Sequence, residues 1–217
     1  LDPMKVREAR EDEMDFVKGI KVYEEAPIQE CVQRTGKKPI GTRWVDILKG
    51  ELTRSRWVAQ DYKKKGDSDR EDLFAAMPPL EAKKALFRLA AVKMTGKSTQ
   101  RGERMKLMMV DVRKAHLNAR CSRDDVYVAL PEEAKAKPGM CGRLLRWLYG
   151  MRGAAQGWET EFGEKLGSVG FDRGKSSPVV FQRKSDETVL VVHGDDFTFL
   201  GYPDVLDELL ADMRKWW

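Results

Sequence analysis

Apolar positions along the chain change their period several times, and each change marks a predicted element. Val6, Met14, Phe16, Val17 and Ile20 recur in a charged background after Asp2 and Pro3. Asp suits an N-cap and Pro the first helical position, so this segment predicts an amphipathic surface helix. Ile40, Trp44, Val45, Ile47 and Leu48, a Lys49-Gly50 turn and then Trp57-Val58-Ala59 predict a hairpin between Pro39 and Ala59. Lys63 to Arg70 reads as a charged loop, closed by Leu73 to Met77 and stopped at Pro78-Pro79.

Leu86, Leu89, Ala90 and Met94 have helical spacing, so a helix is predicted over 81–94, with Gly96 beyond its end. The run from Lys106 to Val110 predicts a strand that ends abruptly in the carboxylate of Asp111. Residues 143–149 and 154–168 are predicted helical, joined by a bend from Gly150 to Gly153. Strands are predicted at 179–183, 188–192 and 197–200, the last two linked through His193-Gly194-Asp195-Asp196. Val205, Leu206, Leu209, Leu210 and Met213 form one apolar stripe of a predicted helix from Pro203 to Trp217. Strands that come in hairpins, without regular strand–helix alternation, favour an α+β fold with an antiparallel sheet over a doubly wound one.

Composition narrows the picture only a little. With 217 residues and 41% hydrophobic content the chain can build a core. Lys plus Arg number 40 against 35 Asp plus Glu, a net charge of +5. That excess is too small to argue for a polyanionic partner unless the positions of the basic residues do so. No apolar run reaches the roughly 20 residues that cross a bilayer, and Leu1-Asp2-Pro3 lacks a signal pattern, so an intracellular, non-secreted protein with no membrane partner is expected. Cys31, Cys121 and Cys141 are scattered and form no Cys-x-x-Cys pair, which predicts reduced, partly buried thiols and neither a disulfide framework nor a zinc site. His116 and His193 are too few for a histidine-rich metal centre.

The candidate chemistry lies in carboxylates. Asp195-Asp196 sits at a tight turn between two apolar strands and Asp111 ends a third. Each feature alone is ordinary, since Asp and Gly form turns and Asp caps helices. Together they match what nucleotidyl transfer needs. Carboxylates from separate strands can hold two magnesium ions, one activating an attacking hydroxyl and one steadying the leaving pyrophosphate, and magnesium takes hard oxygen ligands completed by substrate phosphates.

Several segments then resemble one known family in order and spacing. Residues 106–118, Lys-Leu-Met-Met-Val-Asp-Val-Arg-Lys-Ala-His-Leu-Asn, and residues 148–158, Leu-Tyr-Gly-Met-Arg-Gly-Ala-Ala-Gln-Gly-Trp, resemble motifs of the copia-type (Pseudoviridae-like) retrotransposon reverse transcriptases. Trp44-Val45, Arg54 to Ala59, Asp72 to Pro78 and Gly170-Phe171 resemble further segments of that family, over about residues 5–215.

The resemblance implies an α+β reverse-transcriptase fold of fingers (about 35–100) and palm (about 101–217), interleaved, with an antiparallel palm sheet. The thumb, and any ribonuclease H or integrase region, would lie outside these residues, so processive synthesis is not expected of this chain. It implies RNA-directed DNA polymerase activity, with Asp111, Asp195 and Asp196 as catalytic metal ligands for two Mg²⁺ ions, Mn²⁺ being a possible substitute. Arg54 or Arg56 would contact the incoming triphosphate, as the fixed fork of Arg suits phosphate. Ala115 and His116 would line the floor of the nucleotide pocket, where His116 would bear on sugar discrimination. Gln156 and Gly157 would lie beside the nucleotide and template base. The implied partners are an RNA or DNA template with its primer and deoxynucleoside triphosphates, and the implied location is cytoplasmic, in a virus-like particle, or nuclear.

The chain departs from the family in having His193-Gly194 where Tyr-Val or Tyr-Met is usual, and His116 where Phe or Tyr is usual. Two other readings stay open: a catalytically decayed or repurposed nucleic-acid-binding copy of the fold, and a palm-fold nucleotidyl cyclase. The cyclase reading gives no account of Arg54 to Ala59 or of Leu148 to Trp158.

Overall fold

The computed structural model describes residues 1–62, 76–96 and 99–217, so the loop predicted from Lys63 to Arg70, with Leu73 and Phe74, lies outside the described residues. The elements run α1 (Pro3–Gly19), β1 (Tyr23–Pro27), α2 (Ile28–Thr35), β2 (Thr42–Lys49), β3 (Leu52–Ala59), α3 (Leu80–Lys93), β4 (Lys106–Asp111), α4 (Ala115–Asn118) and β5 (Tyr127–Val128). A 3-10 turn at Glu132–Ala134 follows, then β6 (Met140–Leu144), α5 (Ala154–Ser168), β7 (Asp172–Arg173), β8 (Val180–Arg183), β9 (Thr188–His193), β10 (Asp196–Gly201) and α6 (Pro203–Trp216). They fall into two compact units, Leu1–Phe74 with His116–Trp158, and Ala75–Ala115 with Glu159–Trp217. No helix among the described residues is long and apolar enough to cross a membrane.

In the first unit, α1 starts as its sequence dictates. The Asp2 carboxylate accepts from the Met4 amide at 2.9 Å and Pro3 opens the first turn. The β2–β3 hairpin is longer than its apolar run suggested: β3 begins at Leu52, and the turn is made by Gly50 at φ +64°. Beside it, β1, β6 and β5 form an antiparallel sheet in that order.

Residues 143–149, predicted helical, are instead the end of β6 followed by an irregular run. The amides of Leu145 and Arg146 donate to the Val22 carbonyl at 2.8 and 3.0 Å, and that of Trp147 donates to Ala119 at 2.9 Å. Partners far away in the chain therefore supply the hydrogen bonds that a helix would have supplied locally.

Cys31 and Cys141 are free thiols in one buried cluster with Ala26 and Tyr127, and burial pushes the Cys141 thiol up to about 11. They behave as small apolar residues.

One polar network joins α1 to the hairpin. Arg10 donates to the two carboxylate oxygens of Asp46 at 3.2 and 2.6 Å and to Glu133 at 3.2 Å. The Ser55 hydroxyl donates to Asp46 at 2.7 Å, and the Trp44 indole N–H to Glu133 at 2.9 Å. The Arg10 bond, helped by Ser55 and opposed by burial, holds the Asp46 carboxyl below the usual carboxylate range.

A folded value below the unfolded one stabilises the fold above the unfolded value near 4, and that stabilisation is lost as pH falls through the depressed one. Arg10→Met is therefore expected to cost about 1–2 kcal/mol near pH 7, as loss of hydrogen bonds to a charged group does. In a chain of this size that lowers the melting midpoint by roughly 2–8 °C. Thermal melts at pH 7 and pH 3 check it, and the gap between wild type and variant should shrink at the lower pH.

The second unit is built on a five-stranded antiparallel sheet in the order β4-β10-β9-β8-β7. Side chains alternate between its two faces. Phe197 and Phe199 of β10, with Leu190 and Val192 of β9, share one face and are all fully buried. Phe162 of α5 meets Phe197 and Phe181 edge-to-face, with ring centroids 5.6 and 6.0 Å apart. Val205, Leu206, Leu209 and Met213 form the buried stripe of α6. The opposite face carries Asp111 and Met109 of β4, Asp196 and Thr198 of β10, and His193 and Val191 of β9. Lys83 of α3 reaches that face at His193.

Candidate active site

The register of the second unit's sheet brings the carboxylates together. Asp196, the first residue of β10, is the cross-strand partner of Asp111, the last residue of β4. Asp195 lies in the two-residue loop between β9 and β10, and its carbonyl accepts from the Val112 amide at 2.9 Å, which ties the loop to the end of β4. Gly194 takes φ +66°, the sign that a two-residue hairpin loop of type II′ needs at its first position.

One ligand oxygen from each of Asp111, Asp195 and Asp196 lies within 4.8 Å of the others, and all three residues are exposed. Like charges directly opposite on neighbouring strands repel. Among the described residues no Lys, Arg or His forms an ion pair with any of the three. Three convergent hard oxygen donors that form no ion pair among the described residues suit a divalent cation such as Mg²⁺ or Mn²⁺.

Beside the carboxylates is a groove of about 370 Å³ lined by Lys83, Leu86 and Phe87 of α3, Met109 to Asp111 of β4, and Asp196 to Thr198 of β10. Its rim is apolar: Phe87 is 45% and Met109 66% exposed.

The residues expected at the nucleotide fall partly in the first unit. Arg56 of β3 places its guanidinium 5.9 Å from the Tyr149 ring centre, and His116 lies 5.6 Å from the same ring. The buried Nε of Arg56 has no hydrogen-bond partner among the described residues. Arg54 is half-buried two residues earlier on the same face of β3, and no carboxylate pairs with either arginine among the described residues. Gln156 is half-buried on α5, and Ala115 is buried at the start of α4.

Gly157 has a packing explanation. A Cβ there would meet the Trp147 indole nitrogen at 2.2 Å, and one at Gly153 would meet the same ring at 2.6 Å. The two glycines, one helical turn apart, seat the buried indole. Gly150 (φ +78°) lets the Ala59 amide reach the Tyr149 carbonyl at 2.7 Å.

Sequence reasoning missed Lys83. A signal for Lys83 was available: it stands three residues before Leu86 on the apolar stripe of α3, where an aliphatic residue would be ordinary.

Comparison with known proteins points to one family. Residues 29–214 match the model of the family described as reverse transcriptase (RNA-dependent DNA polymerase). The chain is also 24% identical over 192 residues to the retrovirus-related Pol polyprotein from transposon TNT 1-94 of Nicotiana tabacum, a match that covers 83% of this chain and 14% of that protein. The chain thus spans a small part of the length of that curated relative.

Proposed function

The chain belongs to the reverse transcriptase (RNA-dependent DNA polymerase) family, of the copia type, and on that premise we propose that it forms the nucleotidyl-transfer region of an RNA-directed DNA polymerase. The observation that carries the reading is the convergence of Asp111, Asp195 and Asp196 at one sheet end. These three carboxylates would hold two magnesium ions, which when bound supply a lowered pKa at the primer hydroxyl and charge neutralisation at the pyrophosphate.

The rest of the work belongs to the chain. The fixed register of β4, β9 and β10 holds the ligand oxygens in place, which keeps reacting groups in line. The unit that contains this sheet would be the palm and the β2–β3 hairpin part of the fingers. Arg56, whose guanidinium lies over Tyr149 and whose buried Nε has no partner among the described residues, would bind the triphosphate of the incoming nucleotide, with Arg54 beside it. His116 and Ala115 would line the sugar pocket and Gln156 its edge. A primer paired to an RNA or DNA template and deoxynucleoside triphosphates are the substrates.

Titration with Mn²⁺, read by electron paramagnetic resonance, tests the metal site directly. The wild-type chain should bind the ion, and Asp111→Asn or Asp196→Asn should weaken binding on the order of tenfold to a hundredfold, as loss of one charged ligand costs a few kcal/mol. Equal binding by all three proteins would remove the metal-site reading.

A further inference from the structure

We propose that Lys83, held by His193, is a phosphate-contacting residue of the acidic groove; this rests on the polymerase reading and deepens it. The Lys83 ammonium lies 2.7 Å from Nδ1 of His193. An ammonium can only donate, so Nδ1 is the acceptor of this bond. One of three ammonium donors is thereby used. Among the described residues the other two meet no acceptor, and Lys83 makes no ion pair although Asp111 and Asp196 line the same groove. A cation beside a cluster of carboxylates, with open donors, is placed to take an anion that bridges it and a metal. A phosphate group does this, because its several oxygens can serve both.

The apolar rim of Phe87 and Met109 fits the rest of a nucleotide, since a base can lie against an aromatic or thioether side chain. The histidine is the chain's own feature. His193 stands where the family carries an aromatic without a ring nitrogen to accept from lysine. His193 is then a positioning residue that acts through Lys83, and the departure from the family is a change in how a cation is held at the groove.

The phosphate could belong to the primer–template backbone or to the nucleoside triphosphate, and two measurements separate them. Binding of the 217-residue chain to a fluorescent primer–template duplex is followed by anisotropy between about 50 and 200 mM salt. If the contact is to the backbone, Lys83→Gln should weaken binding about five- to tenfold and flatten the log–log salt slope by about 0.9, one phosphate's worth. Lys83→Arg should restore the slope, and His193→Phe should weaken binding about two- to threefold.

If the duplex data are unchanged but Lys83→Gln weakens a fluorescent deoxynucleoside triphosphate at least fivefold with Mg²⁺ present, the contact is to the triphosphate. If the wild type binds both and Lys83→Gln alters neither, the proposal is overturned, and a shifted melting temperature would then mark Lys83 as a purely structural charge. A wild-type chain that binds neither duplex nor nucleotide would sink the polymerase reading as well.

Discussion

Single-nucleotide addition to a primer is expected to fall about a thousandfold or more when Asp111 is replaced by Asn. Asn keeps the shape and one oxygen but loses the charge that offsets a divalent ion. A metal-centred stabilisation of several kcal/mol converts, at 1.36 kcal/mol per tenfold, to three or more orders of magnitude. Asp196→Asn should cost a similar factor, because the two residues face each other across the β4–β10 ladder. Groups that act as a unit are not additive, so the double variant should be scarcely slower than either single one. Rapid-quench measurement of one-nucleotide extension, with Mg²⁺ and with Mn²⁺, checks this. A double variant slower by the product of the two single factors would mean that the carboxylates work independently, and single effects under tenfold would remove them from the reaction.

Gly150→Ala should unfold the first unit at much lower temperature, for reasons unrelated to nucleotide. A Cβ there would lie 2.2 Å from the Ala59 carbonyl oxygen and 2.5 Å from a Val58 methyl, and φ is +78°. Left-handed backbone costs a non-glycine residue about 1–2 kcal/mol, and overpacking against backbone adds about 1–3 kcal/mol. The sum, roughly 2–5 kcal/mol, lowers the melting midpoint of a chain this size by about 5–20 °C. Gly36→Ala is the matched control, with φ +67° and nothing within 4 Å of the new Cβ. It should show only the backbone cost, a few degrees. Equal losses at the two sites would mean that strand β3 moves aside readily. A large loss at Gly150 assigns the Leu148-Tyr149-Gly150 segment a packing role alongside any contact with substrate.

Legibility in the sequence followed the locality of the signal. Helices α1, α3, α5 and α6 and strands β4, β9 and β10 were readable because their apolar period, caps and flanking Gly or Pro all lie within the element. The Asp111 and Asp195-Asp196 placements were readable for the same reason: apolar strands delimit both.

Strand β6 was not, because its partners β1 and β5 lie elsewhere in the chain, and Leu144, Leu145, Trp147 and Leu148 satisfy a helical spacing as well as an extended one. Helix α2 escaped notice because it is only eight residues long, and Ile28, Cys31 and Val32 make little more than one turn of apolar stripe. The Lys83–His193 bond joins residues 110 positions apart. Only α3 packed on the carboxylate-bearing face of the sheet can reveal it.

The two-residue loop at Gly194-Asp195 has a consequence for how this hairpin can vary. Because Phe197 and Phe199 are locked into the aromatic core below, the phase of β10 is set from underneath, and the loop must deliver the chain into that phase. One inserted residue would demand either a bulge or a half-turn of the strand, and a half-turn would bury the carboxylates and expose the rings. Length change is therefore forbidden at this loop, while the β2–β3 turn at Gly50, with open space around it, can lengthen freely. In a collection of diverged copies, insertions and deletions should accumulate at the second hairpin and stay absent from the first.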